Sequence, residues 1–149
     1  MSKTSSVFST EEMLVDAFAS HLARDSAPFE LATLIREFDY RSGRTDVLVS
    51  DCENQILAFE AKLTDWRKAV HQAWRNTSFA ERTYVVLPAD VGHRVLRYRT
   101  EFERLGVGLC LVSDATIEIA IESKLSEPVL LWLHEKAKSM LATHGERLH

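Results

Sequence analysis

RTDVLVSDCENQILAFEAKL, residues 44 to 63, carries the reading that decides the fold. Two runs rich in Val, Leu, Ile and Phe flank the polar tetrapeptide Asp51-Cys52-Glu53-Asn54, which is the pattern of two antiparallel strands joined by a turn. A turn centred on Glu53 sets Asp46 opposite Glu60, and directly opposed residues share a face of the sheet. Period two then places Asp46, Leu48, Ile56, Ala58, Glu60 and Lys62 on one face, with Val47, Val49, Leu57, Phe59 and Ala61 on the other. Two carboxylates and an ammonium therefore converge at one end of the hairpin.

Such a convergence needs a chemical reason, because burying charge is costly and adjacent carboxylates hold a proton between them unless a cation intervenes. Hard oxygen donors with no thiolate or imidazole beside them suit Mg²⁺ or Mn²⁺ better than Zn²⁺. Asp46 and Glu60 are the candidate metal ligands, and the backbone carbonyl of Ala61 is a third oxygen within the same stretch. Lys62, two residues past Glu60, is placed to orient or help deprotonate an attacking water and to offset charge on a phosphorus transition state. The chemistry expected is phosphodiester hydrolysis.

Outward from the hairpin, EEMLVDAFASHL (11–22) has helical spacing, with Leu14, Val15, Phe18 and Leu22 on one face and Ser9 or Thr10 as its cap. LATLIREFDY (31–40) precedes the hairpin as a strand and completes an antiparallel three-strand meander. Asp65 caps a helix through WRKAVHQAWRN (66–76), whose Trp66, Ala69, Val70, Ala73 and Trp74 recur at core spacing. RTYVVLP (82–88) reads as a buried strand and VGHRVLRYRTEFERL (91–105) as one helix capped by Asp90 and ended by Gly106. VGLCLVS and TIEIAIES are two further strands, and Pro128 introduces a last helix through residues 129–141. The expected fold class is α/β, a mixed sheet covered by helices on both faces.

The 149 residues carry no repeat or Pro/Gly-rich linker, so a single domain over 1–149 is expected, with 1–9 frayed and a C-terminal helix within 128–149. A composition of 46% hydrophobic and 27% charged residues excludes wholesale disorder. No apolar run is long enough to span a membrane and MSKTSSVFST lacks the apolar core of a signal peptide, so a cytoplasmic protein without a membrane partner is expected. Cys52 and Cys110 are far apart without metal-ligand spacing and read as reduced thiols. The net charge of −4 excludes a general nucleic-acid coat but leaves room for a local basic surface.

Asp46, thirteen intervening residues and then Glu60-Ala61-Lys62 resemble the motif of the PD-(D/E)xK nuclease superfamily. The order of elements over residues 11 to 112 resembles that family's core as well. The resemblance implies a restriction-endonuclease-like fold, a divalent metal at Asp46 and Glu60, Lys62 as the catalytic lysine, and nucleic acid, DNA ahead of RNA, as partner. It also implies a glutamate from the first helix, for which Glu11 fits and Glu12 is second choice, and a glutamine from the helix after the motif, for which Gln72 fits ahead of His71. Gln72 resembles the glutamine of RecB-type exonucleases, with Asn76 standing where a tyrosine completes that pattern and Thr45 where a proline precedes the aspartate. The RecB-type and Holliday-junction-resolvase branches both stay open.

Arg41 and Arg44 beside the motif, and Arg94 and Arg97 in the 91–105 helix, are the candidate phosphate contacts. Trp66 and Trp74 are spaced as core residues, with base stacking the lesser alternative. Leu130, Leu131, Leu133, Met140 and Leu141 make the last helix apolar enough to pack on the sheet or on a second copy of the chain, so a homodimer is an open alternative. The alternative function is a catalytically inactive nucleic-acid-binding or protein-interaction module on the same fold.

Overall fold

The computed structural model describes residues 8–25, 28–40, 43–114 and 116–148. Helix α1 (Glu11–Arg24) is followed by strands β1 (Leu31–Tyr40), β2 (Gly43–Asp51) and β3 (Ile56–Ala61), helix α2 (Trp66–Asn76) and strand β4 (Arg82–Pro88). Helix α3 (Ala89–Val95), a 3₁₀ turn (Leu96–Tyr98) and helix α4 (Arg99–Leu105) lead into β5 (Gly108–Val112), β6 (Ile117–Ile121), α5 (Leu131–His144) and the short β7 (Glu146–Arg147). The strands form one sheet in the order β6-β5-β4-β3-β2-β1-β7. β3, β4 and β5 run parallel and every other neighbouring pair is antiparallel.

The hairpin register is the one its turn dictates: Val47 pairs with Phe59, Leu48 with Ala58, Val49 with Leu57 and Ser50 with Ile56. Asp51 closes the turn by accepting the N–H groups of Glu53 and Gln55 on Oδ1 at 2.9 and 2.8 Å. Val47, Val49, Leu57, Phe59 and Ala61 pack under α1 with Leu14, Phe18 and Leu22. Leu48, Ile56 and Ala58 face the other side, where Leu133, Ala137 and Leu141 of α5 cover them. Phe59 is central, its ring 4.8 Å from Phe18 and stacked at 5.4 Å on Tyr84, and burying each such ring contributes about 1.5 to 3 kcal/mol.

Strict alternation fails at the far end of the hairpin. Leu34 lies in the α1-side cluster and Phe38, four residues on, in the cluster of the opposite face. Glu37 absorbs the switch with a φ of 60°, an irregularity that re-aims the residues beyond it. Tyr40 and Thr45, the latter paired with Phe38, are thereby turned toward α2.

Three further expectations are corrected, and one strand is added. The 91–105 helix begins earlier, at Ala89 after Pro88, without a side-chain cap from Asp90, and is interrupted by the 3₁₀ turn, beside which Trp66 stacks on Tyr98 and Phe102. Phe8, inside the stretch expected to fray, is buried in the core. The last helix starts at Leu131 and buries Leu133, Ala137 and Leu141 on the sheet, while Leu131 and Trp132 stay exposed. After it, β7 adds a strand on β1 that its two-residue length hides from pattern reading.

Candidate active site

The paired ladder between β2 and β3 ends at Val47 and Phe59. Beyond it, the N–H of Ala61 donates to Asp46 Oδ2 at 2.8 Å. The aspartate side chain thus occupies the fork between the two strands, with Thr45 turned to one face and Val47 to the other. Burial raises the proton affinity of the Asp46 carboxyl, while the Ala61 N–H and the Lys62 charge act against the rise.

Glu60, the last residue but one of β3, faces α2 and is 2% exposed. Burial pushes its pKa up to about 8; the Asn76 hydrogen bond opposes the rise, the charge of Asp46 adds to it, and Arg75 and Lys62 oppose it. The two carboxylates therefore feel each other although they lie beyond the last paired residues of the ladder. Asn76 Nδ2 donates to Glu60 Oε2 at 2.7 Å. Asn76 Oδ1 accepts from Tyr40 Oη at 2.8 Å and from Thr45 Oγ1 at 3.2 Å. An ionised carboxylate only accepts whereas the two hydroxyls can also donate, so the fully buried amide turns its donor to Glu60 and its oxygen to the hydroxyls.

Lys62 lies one residue past β3, so strand alternation no longer sets its direction. Its Nζ is 3.6 Å from Glu11 Oε1 at the start of α1, and its charge acts on both Asp46 and Glu60. Glu11 and Glu12 line a cleft of about 180 Å³ with Val15, Arg36, Glu37, Arg44 and Asp46. Glu11 acts on Asp46 by charge, yet among the described residues no group of three or more His, Cys, Asp or Glu side chains is arranged to hold a metal. The oxygen donors gathered here are the carboxylates of Asp46 and Glu60, with that of Glu11 in the same cleft as Asp46.

The remaining candidates divide. Gln72 is half-buried one helical turn before Asn76, on the same stripe of α2, and His71 is exposed. Arg44 is held by two carboxylates, Glu37 at 3.0 Å and Asp39 at 3.1 Å. Arg94 and Arg97 are exposed, the latter 5.3 Å from the Tyr98 ring centre. Arg41 lies outside the described residues.

Reading the sequence gives Tyr40 no place in the site, and sets Thr45 and Asn76 at motif positions without a role. One signal was there: Asn76 completes the buried stripe Trp66, Ala69, Val70, Ala73, and a polar side chain ending an apolar stripe must find a buried partner. The misreading of Trp74 is the converse case, since it is 49% exposed while Trp66 is buried.

No protein-family model and no curated protein matches the chain. Among solved structures, a protein of unknown function from Silicibacter pomeroyi superposes with a TM-score of 0.67 at 17% identity, over 93% of this chain and 87% of that one. A repair endonuclease from Pyrococcus abyssi superposes at 0.50 and 19% identity, over 74% of this chain and 50% of its own. A chain from a complex of EndoMS with double-stranded DNA follows at 0.48 and 16%, over 78% and 50%. The chain thus spans half the length of each of these last two chains. Its fold is restriction-endonuclease-like, a seven-stranded mixed sheet flanked by helices.

Proposed function

We propose that the protein is a divalent-metal-dependent nuclease, with DNA ahead of RNA as its substrate. The observation that carries the reading is the fork between β2 and β3, where Asp46 on the Ala61 N–H and the buried Glu60 act on each other's charge beside Lys62. Burial has raised the proton affinity of both carboxylates, so the pair is short of positive charge. A hard cation answers that shortage with the donors present: the second oxygen of Asp46, the second oxygen of Glu60 and the carbonyl of Ala61 would hold Mg²⁺ or Mn²⁺. When bound, the ion would polarise a phosphoryl oxygen and lower the pKa of an attacking water.

The chain's own residues supply the rest. Lys62 offers an ammonium to the charge that grows on the phosphoryl oxygens and orients the water, and Glu11 steadies it from α1. Asn76 holds Glu60 in one rotamer and favours its ionised form. Gln72, one turn earlier on α2, faces the same substrate, and Arg94 and Arg97 contact its phosphates, with Arg44 secondary because two carboxylates already hold it. The likeness to a repair endonuclease supports nucleic acid as the substrate class. A binding module without catalysis is the second reading, favoured because among the described residues no three His, Cys, Asp or Glu side chains are arranged to hold a metal.

The test is incubation of the purified chain with linear, circular, single-stranded and branched nucleic acids in Mg²⁺, Mn²⁺ or EDTA. Cleavage in either metal and none in EDTA is expected, and opening of circular DNA would identify internal cleavage. Binding without cleavage under every metal selects the module, and neither binding nor cleavage defeats both readings.

A further inference from the structure

Trp74 lies off the buried stripe of α2 and is half exposed. It walls a groove of about 550 Å³ with Arg75, Thr77 and Ser78 from the end of α2 and with Ser126, Glu127 and Val129 from the segment that leads to α5. That volume is the size of a small-ligand site. Both walls are tied together: the carbonyl of Ser78 accepts the N–H groups of Val129 and Leu130 at 3.0 and 2.9 Å, and the Ser126 N–H donates to the carbonyl of Glu81 at 2.7 Å. The groove is built by backbone hydrogen bonds and exists before anything binds.

One lining residue, Arg75, links it to the carboxylate site. Arg75 precedes Asn76, the partner of Glu60. Its Nη2 stands 3.6 Å from where a Cβ on Gly43 would sit, and the Tyr40 hydroxyl stands 3.4 Å from the same point. The guanidinium is therefore at the outer end of the Tyr40–Asn76–Glu60 chain, and its charge reaches both Tyr40 and Glu60. A flat apolar ring with a cation beside it and hydroxyl groups at the rim, with Glu127 on the other wall, has room for one nucleotide: the ring takes a base face and the cation a phosphate.

We propose that this groove receives an unpaired nucleotide of the substrate strand, its base against the Trp74 indole and a phosphate at Arg75. The substrate class is then nucleic acid with a single-stranded segment or a frayed end, accepted with little base preference, since every base has a π-face. This rests on the nuclease reading of Asp46, Glu60 and Lys62.

The experiment measures fluorescence anisotropy of a labelled oligo-dT and of a fully paired duplex in Ca²⁺, for the wild type, Trp74→Ala, Trp74→Phe and the control Trp132→Ala, which alters an exposed tryptophan outside the groove. Loss of one stacked base is expected to weaken single-strand binding about 5- to 150-fold in Trp74→Ala. Phenylalanine should restore most of it, duplex binding should fall less, and Trp132→Ala should bind like wild type. Single-strand affinity unchanged in Trp74→Ala overturns the proposal, as does an equal loss for both substrates. So does a Trp74→Ala protein that changes only its oligomeric state in sedimentation, which would make the groove an interface between copies. Hydrolysis of bis(p-nitrophenyl) phosphate by the wild type in Mn²⁺ is run alongside: its absence speaks against the nuclease reading, whereas its presence with unaltered Trp74→Ala binding defeats the groove alone.

Discussion

Asn76 shows how one buried amide organises a charged site. Removing it leaves the Tyr40 and Thr45 hydroxyls without an acceptor and Glu60 without a donor, and each unsatisfied buried group costs about 1 to 3 kcal/mol. Asn76→Ala should therefore lower the urea midpoint clearly, and should weaken Mn²⁺ binding by about 10- to 100-fold in calorimetry of the folded protein. Lost stability with Mn²⁺ affinity untouched would reduce Asn76 to a packing role. The raised pKa of Glu60, about 8, has a consequence with a definite sign. A carboxyl that binds its proton more tightly when folded adds stability at pH 4 and below, and that stability is lost as pH climbs from about 4.5 to about 8. Each tenfold change in proton affinity is worth about 1.4 kcal/mol. Without metal, wild-type stability should decline between pH 5 and pH 8, and Glu60→Gln should decline less; equal slopes would contradict the burial of an ionisable Glu60. At this scale the sequence was half legible. Asp46, Glu60 and Lys62 announce themselves as three charges at the end of an apolar hairpin. Tyr40 and Thr45 do not, because their direction depends on the φ of Glu37, which no side-chain pattern encodes.

The hairpin is the element that composition and turn chemistry specify most fully. A polar turn closed by Asp51 and two apolar faces leave one register, since a slip of one residue would turn Val47, Val49 and Phe59 away from α1. The Asp65 cap and the αL glycine ending α4 were equally readable, as an aspartate accepting the Lys68 N–H and a Gly106 with a φ of 74°. The broken helix before β5 was not, because the contacts at the break, Trp66 on Tyr98 and Phe102, are tertiary and leave no local signal. Close packing between elements can be probed at Gly108 on β5. A Cβ there would lie 2.5 Å from the ring of Tyr84 and 2.6 Å from the carbonyl oxygen of Ile121, and Tyr84 stacks on Phe59 of the site strand. Gly108→Ala should destabilise by about 1 to 3 kcal/mol through overpacking. A melting temperature equal to wild type would mean that β4, β5 and β6 are looser than this geometry requires.

For the whole molecule, the parallel strands β3, β4 and β5 need a covered sheet on both faces, and the core clusters under α1 and under α2 to α5 supply it. Among the described residues no helix is long and apolar enough to cross a membrane. The sheet brings the three charges of the hairpin end, the amide of α2 and the glutamate of α1 to one fork, and the central claim is that this fork cleaves phosphodiesters. The most direct measurement pairs DNA cleavage in Mn²⁺ with DNA binding in Ca²⁺ for wild type, Glu60→Ala and Lys62→Ala. Wild type should cleave; both variants should lose cleavage, Lys62→Ala while still binding Mn²⁺, and Glu60→Ala while binding DNA as tightly as wild type or slightly more so, because a negative charge near the phosphates has gone. Cleavage that persists undiminished in Glu60→Ala would contradict the account, since the activity would then belong to some other part of the molecule.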